Sequence, residues 1–93
     1  MSALFDSEIG PGVTGYTMDI RGDLYVPLIQ AVHPGNGDVG RYLDSLPTGC
    51  RIVVPNVISA RLEGMLLRRG FEPIAEWFED FGEYVPCWHR RSA

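Results

Sequence analysis

Apolar and polar positions along the chain change period from stretch to stretch. From Val13 to Ile20, the residues Tyr16, Met18 and Ile20 alternate with polar neighbours, which predicts a half-exposed strand. Arg21-Gly22-Asp23 follows as a turn, so the first two strands form an antiparallel hairpin. The stretch from Leu24 to Val32 is too apolar to alternate, the pattern of a strand buried on both faces. Pro27 interrupts it. Lacking an N–H, it predicts an edge, the start of the hydrogen-bonded part, or a bulge. A glycine-punctuated turn leads to a short helix from about Val39, with Val39, Tyr42, Leu43 and Leu46 on one face and Asp38 as a candidate cap. Pro47-Thr48-Gly49 stops that helix.

Cys50 to Val54 predicts a short buried strand, and strand–helix–strand units of this length favour a parallel pair with a right-handed crossover. A second helix is expected from about Val57 to Arg69, with Ile58, Leu62, Met65, Leu66 and Leu67 facing inward and Arg61, Glu63 and Arg68 outward. Asn56 or Ser59 can cap its start, and Gly70 stands where a left-handed C′ residue belongs. The remainder is a hairpin: Ile74 to Phe78, a turn at Glu79-Asp80-Phe81-Gly82, and Glu83 to His89. Pro86 suggests that the last strand is an edge. The expectation is a small α+β domain: a mixed sheet of about five strands with two helices, in the order β-β-α-β-α-β-β. It spans residues 13–91, behind an arm of residues 1–12 that ends in the turn signal Gly10-Pro11-Gly12.

Composition narrows the function classes. Ninety-three residues make one domain, which buries roughly two-thirds of its unfolded surface. No apolar run approaches the roughly 20 residues needed to cross a bilayer, and residues 1–12 have neither a basic nor an apolar leader region, so the expected setting is cytoplasmic, with no membrane partner. The net charge of −4 argues against nucleic acid, which needs clustered Arg or Lys for its phosphates. Cys50 and Cys87 predict small buried hydrophobes rather than a disulfide, and with His33 and His89 they lack zinc spacing, so no metal is expected. His33 precedes a proline in a turn, a poor setting for a general base. Glu76, Glu79, Asp80 and Glu83 predict a solvated acidic turn rather than a catalytic carboxylate pair.

A family resemblance emerges from the motifs. Val32-His33-Pro34 ends the core strand, a Gly-rich loop opens a helix, Asn56 follows a buried strand, and Met65-Leu66-Leu67-Arg68-Arg69-Gly70-Phe71 closes the second helix before a hairpin. From about Gly15 to Arg91 the chain resembles the C-terminal half of the GNAT acyltransferases, and the resemblance implies a truncated version of their fold. It also implies that acetyl-CoA would lie along Val32, Gly35, Asn36, Gly37, Asp38, Val39 and Gly40. Three departures count against catalysis. The loop carries Gly35, Asn36 and Asp38 where the family has Arg or Gln and two glycines, and a carboxylate beside a diphosphate costs about 1 kcal/mol even when water-screened at about 4 Å. Leu66 replaces the tyrosine that many members use as general acid. The family's N-terminal strand and helices, which build much of the acceptor site, have no counterpart.

Six of the ten aromatic residues fall in residues 71–88, and Trp77, Phe78, Phe81, Tyr84 and Trp88 are of the types that dominate protein interfaces. The resemblance also implies a bacteriophage or prophage setting, in which a reduced enzyme fold can bind a host factor or serve assembly. The expected function is therefore a non-catalytic, GNAT-like module acting through a protein partner or a homo-oligomer, with no cofactor and no catalytic residue. The alternative is a minimal acetyl-CoA-dependent N-acetyltransferase whose acceptor site another subunit completes.

Overall fold

The computed structural model describes residues 7–57 and 59–92. One six-stranded mixed sheet carries two helices, an α+β fold. In chain order the elements are β1 (Glu8–Gly10), β2 (Val13–Ile20), β3 (Asp23–Ala31), α1 (Asp38–Asp44), β4 (Ile52–Pro55), α2 (Ala60–Arg68), β5 (Glu72–Phe78) and β6 (Glu83–Arg90). Across the sheet they run β1-β2-β3-β4-β6-β5, and only β3 and β4 are parallel. The sixth strand is β1. It lies in the segment expected to be an arm, and it pairs antiparallel with β2.

Local chemistry explains most of the elements. Ile20 pairs with Asp23 across a two-residue turn, and Arg21 and Gly22 both have positive φ, as the right-handed twist of a tight hairpin requires. Between Tyr16 and Met18 the β2–β3 register slips: two steps on β2 face three on β3, from Leu28 to Tyr25. Pro27 sits inside this bulge, so its missing N–H breaks no regular ladder. Gly15 lies so close to β3 that any side chain there would strike the Leu28 carbonyl. The expected Asp38 cap is corrected. Gly37, in the left-handed conformation, is the N-cap of α1, and Asp38 is the first helical residue.

Helix α2 starts later than expected. Asn56 takes a positive φ and gives its N–H to Pro86, and Ser59 is the N-cap, its Oγ accepting from the Leu62 N–H at 3.2 Å. At the other end the Phe71 N–H reaches the Leu66 carbonyl and the Gly70 N–H the Leu67 carbonyl. These two bonds are the Schellman closure, and its apolar contact is Phe71 against Leu66, both buried in one core. Leu67, expected to face inward, is 58% exposed, because one helical step of 100° turns it off the Leu62–Leu66 stripe. Ile58 lies outside the described residues.

The expectation that the last strand is an edge is also corrected, for β6 lies between β4 and β5. Pro86 is tolerated there because its carbonyl meets Asn56, one residue past the end of β4. The donor it lacks is missing only where β4 has already finished.

The sheet has a core on each face. Val26, Ile52 and Val54 pack with Tyr42, Leu43 and Leu46 after β3 and with Leu66 and Phe71 after β4. On the opposite face, which neither helix covers, Tyr25, Val53, Val85 and Cys87 form a smaller cluster. Strand alternation divides the two sets. Phe71→Ala is expected to lower stability by about 3–5 kcal/mol, the usual cost of emptying a packed aromatic site. Leu67→Ala should stay within about 0.5 kcal/mol. Urea denaturation of both variants checks this, and similar losses would contradict the assigned helix face.

Candidate functional site: the loop after β3 and the outer hairpin

Three places could do chemistry or bind. The first is the loop after β3, where the resemblance places a cofactor. Val32 lies just past the strand, half exposed, and its N–H is taken by the Gly12 carbonyl from the β1–β2 turn. Gly35, Asn36 and Gly37 are exposed, while Val39 and Gly40 are half-buried on α1. Asp38 is turned inward and buried, against Gly12, where any added side chain would overlap its carboxylate. Its oxygens accept from the Arg41 guanidinium and, at 3.4 Å, from Asn36 Nδ2. Arg41 also donates to the Asn36 carbonyl at 3.1 Å.

Asp38 is thus neutralised by Arg41 rather than by the loop amides. The loop's own two charges are spent in an internal ion pair, so the loop residues themselves offer a diphosphate no net positive charge, and the cation left beside them is Arg61 of α2. The loop alone does not fit that group. Beside the loop, between the end of β3 and α2, runs an open cleft of about 490 Å³ lined by Ile29, Ala31, Val39, Leu62 and Met65 among others. His33 is exposed in the turn before it.

The second place escaped sequence reasoning. Arg51, one residue before β4, donates to Glu76 at 2.7 Å, to Asp23 at 3.1 Å and to His89 Nδ1 at 3.0 Å. Tyr25 Oη completes the group, donating to Glu76 at 3.3 Å. Hydrogen bonding to Glu76 raises the Arg51 pKa against the opposing effect of burial, so this centre keeps its cation. These residues come from four separated stretches and meet only through strand register on the helix-free face. The one signal that could have found them is parity: Arg51 and Val53 share a face, as do His89, Cys87 and Val85. The arrangement is a brace, with every carboxylate tied to the arginine or the tyrosine.

The third place is the β5–β6 hairpin. Trp77 and Tyr84 are register partners whose rings meet edge-on at 5.2 Å. Phe78 stacks on Phe81 at 5.8 Å and meets Tyr25 edge-on at 6.3 Å. Exposure separates the five aromatics. Trp77, Phe81 and Tyr84 are 50%, 62% and 67% exposed, whereas Phe78 packs on the smaller core and Trp88 on the larger. Phe71, the sixth aromatic of the segment, is buried beneath Arg90.

Among the described residues no group of three or more His, Cys, Asp or Glu is placed to hold a metal ion, and no helix is long and apolar enough to cross a membrane. Comparison with known proteins returns no matching family model, no matching curated protein and no matching solved structure.

Two outcomes are expected around the brace. Burial first, then the charges of Arg51 and Arg91, lower the His89 pKa. The folded chain therefore binds fewer protons than the unfolded one below about pH 6.5. Stability is full above that value and falls as pH drops through it. Urea midpoints between pH 7.5 and 5.5 should show the fall, and His89→Gln should flatten it; an unchanged slope would contradict the assignment. Burial, with Glu76 nearby, also pushes the Cys87 thiol up to about 11. Cys50 is half-buried, so in the native protein a thiol reagent at pH 8 should label Cys50 first and reach Cys87 only on unfolding. Equal rates would contradict the burial of Cys87.

Proposed function

We propose that the chain is a non-catalytic, GNAT-like module that works by protein–protein contact through the β5–β6 hairpin. The observation that carries this reading is the exposure of Trp77, Phe81 and Tyr84 at one tip of the fold. A core would bury such residues, and interfaces use them as anchors. The family part of the reading rests on element order. A core strand, a Gly-rich loop, a helix, a buried strand, a helix closing at Gly70-Phe71 and a final hairpin follow one another as the motifs require. A host factor or an assembly partner would dock on the hairpin.

One observation favours the second reading, a minimal N-acetyltransferase. The apolar cleft between β3 and α2 has walls suited to the slender arm of acetyl-CoA. Against it stand the Asp38–Arg41 pair at the mouth and Leu66, which has no proton to give and is fully buried.

A peptide-display selection on the whole chain is expected to enrich a consensus that Trp77→Ser/Tyr84→Ser loses, while the thermal midpoint with acetyl-CoA stays unchanged. Two results would replace this reading with the enzyme: no enrichment, and a stability gain approaching the roughly 2.7 kcal/mol of a ligand at about 100 times its Kd.

A further inference from the structure

The charge of this chain is unevenly placed, and the unevenness selects the partner. Residues 72–83 hold five of the twelve carboxylates (Glu72, Glu76, Glu79, Asp80 and Glu83) and no Arg, Lys or His. The other seven face eight arginines, so the remainder of the chain is slightly positive and the hairpin alone accounts for the net charge of −4. Glu76 is taken by Arg51, whereas Glu72, Glu79, Asp80 and Glu83 are exposed and make no ion pair among the described residues. The same segment carries the exposed Trp77 and Phe81, and the exposed Tyr84 follows it directly. β5 is the outermost strand on its side of the sheet, and among the described residues no strand pairs with its outer edge.

The hairpin exposes Trp77 and Tyr84 on one face, Phe81 against Phe78 on the other, and unpaired carboxylates at its turn and along β5; with the open strand edge, this combination is complementary to one kind of occupant. We propose that the hairpin docks an extended, arginine- or lysine-rich segment of a partner protein, laid along β5. Its cations meet the carboxylates and the faces of Trp77 and Tyr84, and its apolar side chains cover Phe81. Symmetric pairing of two hairpins is disfavoured, because it sets acid against acid. The inference rests on the hairpin being the docking surface and adds the chemistry of what docks.

The test uses the whole chain and three short fluorescein-labelled peptides, in which leucine alternates with arginine, with glutamate or with serine. Fluorescence anisotropy is expected to show binding of the arginine peptide alone, weakening at least tenfold between low and physiological salt. Trp77→Ser/Tyr84→Ser should weaken it at least tenfold. Glu79→Gln/Asp80→Asn/Glu83→Gln, all at exposed positions in or beside the turn, should weaken it and flatten its salt dependence. Equal binding of all three peptides, lost in the aromatic variant, would overturn the basic partner while leaving the hairpin as the docking surface. A dimer in sedimentation that Trp77→Ser dissolves, with no peptide bound, would overturn it in favour of self-pairing through the same hairpin. Absence of both would overturn this inference and the docking role together.

Discussion

The sheet depends on β4. In the backbone ladder, two antiparallel ribbons, β1-β2-β3 and β6-β5, are bridged by this strand of four residues, all buried, while Tyr25 reaches past it to Glu76 and Phe78. Its contact with β3 is parallel and covers two register pairs, Leu24 with Ile52 and Tyr25 with Val53. Beyond them the Pro27 bulge shifts β3, and the strands no longer pair. So short a seam cannot hold by backbone bonds alone, since each contributes only about 1 kcal/mol net. The two faces supply the rest. Ile52 and Val54 anchor β4 in the larger core, Val53 anchors it in the smaller one, and Arg51 ties the strand's entry to β3, β5 and β6 at once.

That geometry accounts for the cleft. Where β3 and β4 part, no ladder fills the space between the end of β3 and α2, and apolar side chains line an open groove instead. It also accounts for the brace on the other face, which has no helix to exclude water. An apolar patch there would be small and wet. Ringing it with a cation held by two carboxylates and a histidine lets Tyr25 and Cys87 remain buried without helical cover.

What was legible in the sequence is what short-range chemistry decides. The Arg21-Gly22 turn, the Ser59 cap, the Gly70-Phe71 closure and the Glu79–Gly82 turn each depend on a few neighbouring residues. The bulge at Pro27 was among three outcomes that a strand proline allows. What was hidden depends on register. A three-residue strand such as β1 is too short to show a period, and its pairing with β2 becomes visible only in three dimensions. Pro86 suggested an edge because its own sequence cannot reveal that β4 stops one residue before the missing donor would be needed. The Arg51 brace draws on positions 23, 51, 76 and 89, which no local window spans. Of the aromatics, composition identified the group, but Trp77, Tyr84 and Trp88 share one face of the hairpin, and only the reach of the larger core along that face decides that Trp88 packs inward while Trp77 and Tyr84 do not.

Asp38 shows how the short strand and the candidate loop act on each other. A carboxylate in the first turn of a helix ordinarily faces solvent or caps backbone amides. Here the β1–β2 turn leaves a gap at Gly12 that only a residue without a side chain could provide, and the carboxylate fills it. Gly10 does the same for the Tyr42 ring, and the Gly12 carbonyl takes the Val32 N–H. Three contacts thus press the β1–β2 turn onto the loop and the start of α1. With its carboxylate drawn inward, Asp38 brings Arg41 across the loop mouth, and Arg41 secures the Asn36 carbonyl. The acid at position 38 therefore disfavours a phosphate less by direct repulsion than by engaging the cation that could have received it. The loop's charge balance is set by a strand on the far side of the sheet's first hairpin, which is why reading the loop by itself assigned Asp38 to the wrong partner.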